Sequence, residues 1–177
     1  MRIGITGHRR IYKPEKVIEV LTNAIGQWPA RLQSGPFIVL SSLAEGADQL
    51  IAGYILKFFQ SKLIVPLPLP VDDYLQDFKS QKARDSFLHL FNLAAETYAS
   101  AQSNHRPECY LEAGRYIVEN CDLLIAVWNG LPARGVGGTA EIVSLARARK
   151  LPICWVRVGR EGLSEPKITL ENFNPQG

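Results

Sequence analysis

The run Gly135-Val136-Gly137-Gly138-Thr139-Ala140-Glu141 holds the densest chemistry in the chain. Three glycines ahead of a threonine that opens an amphipathic stretch form a loop whose backbone N–H groups can face an anion, and the Thr139 hydroxyl is a further donor. Gly135, Gly137, Gly138 and Thr139 are therefore the leading phosphate-facing candidates. One helix N-terminus contributes only about 0.3 to 2 kcal/mol. Micromolar affinity requires roughly 8 kcal/mol, so other loops must join in, with contacts to a base and a sugar.

Two further segments qualify. In Gly4-Ile5-Thr6-Gly7-His8-Arg9-Arg10, Gly7 permits a tight turn and close approach of the backbone, while His8 and Arg9 can donate to phosphate oxygens. In Ser41-Ser42-Leu43-Ala44-Glu45-Gly46-Ala47-Asp48, small residues lead into a helix N-terminus, which makes Ser41, Gly46 and Asp48 ligand candidates. Ordinary serine capping, with Glu45 and Asp48 supporting the helix dipole, explains the same residues equally well. Tyr74 suits either stacking on a base or the core. The chain has neither GxGxxG after its first apolar run nor GxxxxGK[ST] anywhere, which disfavours a standard dinucleotide dehydrogenase and a P-loop NTPase.

These segments all follow short apolar runs. Residues 2–6, 37–41, 62–66, 122–128 and 152–158 lack polar alternation and read as strands buried on both faces. Between them, apolar residues at three-four spacing predict helices over residues 14–32, 45–59, 72–93, 108–120 and 139–150. Residues 95–107 read as a long irregular loop of the kind that forms lids. Strands alternating with helices call for a parallel sheet with right-handed crossovers, and so for a doubly wound α/β fold. Ligands bind such sheets at the carboxyl ends of the strands, where these motifs fall. Residues 1–158 form the expected domain, and residues 159–177 are a tail that adds an edge strand or packs on the surface.

Length and composition agree with that organisation. The chain has 177 residues, 46% hydrophobic and 21% charged, enough for one domain with a sizeable core. A net charge of +3 comes without any run of basic residues longer than Arg9-Arg10, which hints at anionic small molecules and argues against nucleic acid. Cys109, Cys121 and Cys154 form no CxxC or Cys/His pattern, so neither a disulfide framework nor a metal site is expected. No signal peptide and no apolar run of membrane-spanning length is read, and a cytoplasmic location is the expectation.

Taken in order, Gly4-Ile5-Thr6-Gly7-His8-Arg9, Ser41 to Asp48 and Gly137-Gly138-Thr139-Ala140-Glu141 resemble the SLOG superfamily, over roughly residues 2–158. That group takes in DNA-processing Smf/DprA proteins, the "lonely guy" or lysine decarboxylase-like phosphoribohydrolases, and YpsA-type proteins. The resemblance implies a Rossmann-like three-layer α/β/α fold with strand order 3-2-1-4-5 and nucleotide-derived ligands. It also implies no required cofactor or metal, and a homodimer as a common state. Phosphoribohydrolase members split a nucleoside monophosphate into base and ribose 5-phosphate with an arginine and a glutamate. Arg115 and Glu141 are the counterparts, as the expected catalytic pair. This chain departs from the PGGxGTxxE turn of those enzymes: it reads Arg134-Gly135-Val136-Gly137-Gly138-Thr139, and Ile142 replaces a second glutamate. The expected function is binding of a nucleotide or nucleotide-derived phosphorylated ligand, with N-glycosidic hydrolysis as its enzymatic form. A non-catalytic nucleotide sensor and a single-stranded DNA-binding protein are the alternatives.

Overall fold

Apolar runs of four to seven residues with side chains buried on both faces can be satisfied only inside a sheet covered by helices on each side. The computed structural model, which describes residues 1–28, 36–99, 105–132, 136–159 and 162–173, has that form. Its strands are β1 (Arg2–Gly7), β2 (Phe37–Leu40), β3 (Ser61–Leu67), β4 (Glu96–Ala99), β5 (Leu123–Trp128), β6 (Ile153–Arg157) and β7 (Lys167–Glu171). The helices among the described residues are α1 (Pro14–Ile25), α2 (Ala47–Phe58), α3 (Val71–Leu75), α4 (Gln81–Asn92), α5 (Arg106–Asn120) and α6 (Thr139–Ala148).

The sheet order is β4-β3-β2-β1-β5-β6-β7, parallel except for the antiparallel β6–β7 pair. The expected order 3-2-1-4-5 is its central part, with one strand added at each edge. β5 shows why the layers form: Leu123, Ile125 and Val127 point into a core shared with α1, α2 and α4, while Leu124, Ala126 and Trp128 face α5 and α6. All six of its residues are buried.

Three expectations change. The stretch 95–107 is not a loop throughout, because residues 96–99 pair in parallel with β3 (Ile64 opposite Glu96, Leu67 opposite Ala99) and α5 begins at Arg106. All four β4 residues are exposed, so the strand has no apolar pattern to reveal it. The single helix expected over residues 72–93 is two helices. Ser80 caps the second by accepting from the Ala83 N–H (3.1 Å), and the Arg84 guanidinium donates to the carbonyls of Leu75 and Phe78. The three-four spacing runs on across the break because Phe78 and Phe87 both pack on the Tyr74 ring, at 5.0 and 5.5 Å between centroids. The tail supplies β7, tied to α6 by a two-bond Arg147–Glu171 pair. The helix expected over residues 14–32 ends at Ile25, and the last residues of that range lie outside the described ones.

No helix among the described residues is long and apolar enough to cross a membrane. Cys109, Cys121 and Cys154 are buried and form no disulfide in the structure.

Candidate functional site

β1 lies between β2 and β5, so connections leave its two sides in opposite directions and the sheet opens at the carboxyl ends of β1 and β5. A cleft of about 640 Å3 occupies that position. Its volume lies in the range of small-molecule sites. Gly7, His8 and Arg9 from the end of β1, Asp48 from α2, and Gly137, Gly138 and Thr139 from the turn before α6 all line it. Gly135 lies outside the described residues.

The turn before α6 is shaped by Gly137, whose φ of +77° places it where side chains are strained. A Cβ there would also meet Tyr110 Cβ at 2.8 Å and the Pro107 carbonyl oxygen at 2.9 Å. The N–H groups of Glu141 and Ile142 both donate to the Gly138 carbonyl. Those of Thr139 and Ala140, in the first turn of α6, have no acceptor among the described residues. Thr139 and Ala140 both line the cleft, so the dipole and free donors of this helix end face its interior.

On the opposite wall His8 is held by its backbone at both ends: its N–H donates to Val127 O (2.9 Å) and its carbonyl accepts from Ala47 N–H (3.1 Å). Its ring Nε2 accepts from the Asn129 N–H at 3.2 Å. That nitrogen carries no proton and does not donate to a phosphate in this arrangement. The ring instead clasps the loops after β1 and β5 together.

Arg9 leans over the Tyr110 ring, 5.4 Å from its centroid, and donates weakly to Asp77 O at 3.4 Å. Burial opposes its charge, but Tyr110, Tyr74 and Asp77 outweigh that and hold its pKa above the ordinary value. Arg106 grips Asp77 through two nitrogens (2.9 and 3.2 Å), and the Tyr110 hydroxyl donates to the same carboxylate. Desolvation works against ionised Asp77, yet these bonds leave its carboxyl below the usual range. The cluster pins the N-terminal turn of α5 to the chain segment after α3 and so fixes one side of the cleft.

The floor differs. Ser41 is fully buried and does not line the cleft; its Oγ donates to Asp48 Oδ2 (3.1 Å) and accepts from the Leu43 N–H (3.0 Å). Asp48 is 6% exposed. Burial pushes its carboxyl up from 3.8 to about 7, against the opposing pull of Ser41, the Ala44 N–H and the Arg9 charge. A carboxyl in that range can give or take a proton near neutrality. Beside it Tyr74 is fully buried, and its hydroxyl has no hydrogen-bond partner. Burial raises the Tyr74 pKa well above the ordinary value, and the Asp48 charge adds to that. Gly46 does not line the cleft; it lies directly against the carbonyls of His8 and Arg9 and sets the approach of α2 to β1.

The expected catalytic pair is not brought together in this cleft. Arg115 is exposed on α5 and does not line it, although the adjacent Gly114 does. The Glu141 carboxylate accepts from the Gly137 N–H at 2.7 Å, so it braces the turn from within and occupies one amide that the sequence had suggested for phosphate. Removing it with Glu141→Ala is expected to lower stability by about 1.5 to 3 kcal/mol in urea unfolding, the worth of a bond to a charged acceptor. Glu141→Gln, which still offers an acceptor oxygen, recovers part of the loss. An unchanged midpoint in both variants would remove this bracing role.

Several lining residues escaped the sequence reading. Tyr110 carries no signal that separates it from other helix aromatics. Gly162, Ser164 and Pro166 come from the tail, which an ion pair of Lys13 with Glu165 (2.6 Å) ties to the loop after β1. Among the described residues no group of three His, Cys, Asp or Glu side chains is placed to hold a metal ion. The chain matches no family model and no curated protein.

Proposed function

We propose that this chain binds a nucleotide or nucleotide-derived phosphorylated ligand in the cleft at the switch point, in the manner its resemblance to the SLOG superfamily implies. The observation that carries the reading is the juxtaposition, in one cavity, of the unpaired N–H groups of Thr139 and Ala140 with the Gly7 and Arg9 segment across the β1–β5 opening. The phosphate belongs at the α6 end, away from the Asp48 and Asp77 carboxylates, which would repel it. Arg115 does not line the cleft, and the Glu141 carboxylate is taken up by the Gly137 N–H, which favours ligand binding of the kind a sensor performs.

Thermal unfolding with nucleoside monophosphates and NAD-type ligands tests this, with released base assayed in parallel. A ligand selective for the folded state at a hundred times its Kd adds about 2.7 kcal/mol, a shift of several degrees. The expected result is a saturable rise in Tm without release of base. No rise with any phosphorylated nucleotide argues against the proposal, and release of base would make the chain an enzyme, with the same assay on Arg115→Ala and Glu141→Gln deciding whether those two residues carry the reaction.

A further inference from the structure

Two polar side chains in the floor of the cleft are buried without the partners they need. The Tyr74 hydroxyl has none, although the residue lines the cavity and is completely shielded from solvent around its ring by Phe78, Phe87 and Tyr110. An unpaired buried hydroxyl is costly and calls for a partner that the protein itself does not supply. Asp48 lines the same cavity, and its carboxylate, with about four lone-pair sites, receives only the Ser41 hydroxyl and the Ala44 N–H. Tyr74 and Asp48 come from different elements, α3 and α2, and neither serves the turn at α6.

The chemistry of the missing partner follows. The Asp48 carboxylate accepts hydrogen bonds and rejects anions, so it does not take a phosphate. The Tyr74 hydroxyl can donate and accept at once. A group that satisfies both must not be an anion and must donate to one while exchanging either sense of bond with the other, which a pair of adjacent alcohol groups does. We propose that Asp48 and Tyr74 form a subsite for the vicinal hydroxyls of the ligand's ribose, one hydroxyl donating to the Asp48 carboxylate and its neighbour pairing with the Tyr74 hydroxyl. This deepens the nucleotide reading and rests on it, since the phosphate at Thr139 and Ala140 would anchor the other end of the same sugar phosphate.

The groups facing Asp48 set how the subsite responds to pH. They are Ser41 from the end of β2, the Ala44 N–H from the following loop, Arg9 from the loop after β1 and Tyr74 from α3, with Tyr110, Asp77 and Arg106 behind. Asp48 accepts best when ionised. The preference for a hydroxyl-rich sugar should therefore strengthen as pH rises through about 7, where its carboxyl titrates.

The test is an amide-resolved NMR titration of the full chain with three probes: ribose 5-phosphate, 2-deoxyribose 5-phosphate and inorganic phosphate. The wild type should bind ribose 5-phosphate about tenfold or more tightly than the deoxy sugar, the loss of one polar contact of this type. Tyr74→Phe removes one oxygen that has no partner in the free protein, so folding is preserved; it should reduce that ratio to about threefold or less, and Asp48→Asn should do the same while removing the change with pH. A ratio near one in the wild type, or one unchanged in both variants, overturns the subsite. Wild-type binding of inorganic phosphate without sugar discrimination overturns the subsite alone, whereas no binding of any probe overturns the nucleotide reading with it.

Discussion

Replacing Asp48 with Asn removes a loss of stability that the wild-type chain suffers between about pH 4 and pH 7, and leaves the variant the more stable protein at pH 8. The sign follows from the direction of the shift. The Asp48 carboxyl titrates at about 7 in the folded state and near 3.8 when exposed, so between those values the folded chain holds the proton that the unfolded chain has lost. Stability falls with pH wherever the folded state binds more protons. The stabilising contribution is complete below pH 3.8 and gone once pH passes about 7. Its full size is on the order of 4 kcal/mol, taking each pH unit of displacement at 1.36 kcal/mol. Asn keeps an oxygen that can accept from Ser41 and Ala44 but never ionises. Urea unfolding of both proteins at pH 4.5, 6 and 8 measures the difference, in which all other titrations cancel. A gap between the two proteins that stays constant with pH contradicts a buried, proton-holding Asp48. The cost of keeping an ionisable group there without a full set of partners is understandable if the group serves a ligand.

Gly46→Ala is expected to destabilise by about 3 kcal/mol or more, a large part of the roughly 5 to 15 kcal/mol that holds a domain together. Gly46 sits at φ +97°, where side chains are strained, and a Cβ would lie 2.3 Å from the Arg9 carbonyl oxygen and 2.5 Å from that of His8. Both obstacles are backbone, so no rotamer change relieves them. The same carbonyl of His8 accepts from the Ala47 N–H, and relief of the clash would break the clasp between the β1 loop and α2. Gly53→Ala, inside the same helix, is the control. Its added Cβ would find only Leu90 Cδ2 at 3.8 Å, an ordinary contact. That variant should gain roughly 0.5 to 1 kcal/mol from helix propensity. Equal midpoints for the two variants in urea would show that the Gly46 conformation is not required.

The parts of the fold that were legible in the sequence are those where burial leaves a linear pattern. β1, β2, β3, β5 and β6 are apolar runs because helices cover both their faces, and the helices between them keep a three-four spacing for the same reason. β4 is invisible because an exposed edge strand needs only backbone partners. The break between α3 and α4 is masked because Phe78, in the turn, joins the same aromatic cluster as its helical neighbours. In the site, Gly7 and the turn at Gly137 to Thr139 show themselves by local backbone chemistry. Asp48 and Tyr74 do not show themselves as a pair: one reads equally as a helix-dipole charge and the other as core, and only the tertiary fold brings them to one cavity. The tail was hidden for another reason: Gly162 and Ser164 sit in the connection between β6 and the edge strand β7, and β7 has mostly exposed side chains and no apolar run to mark it.

We propose the opening between β1 and β5 as a phosphorylated-nucleotide site. It is tested most directly by following backbone amides in an NMR titration with a nucleoside monophosphate at low salt. The prediction is saturable movement of Gly7, Gly138, Thr139 and Ala140, with a single Kd, while Gly53 and Ser86 in the outer groove between α2 and α4 stay still. Saturable shifts centred on that outer groove, or none at all, would contradict it.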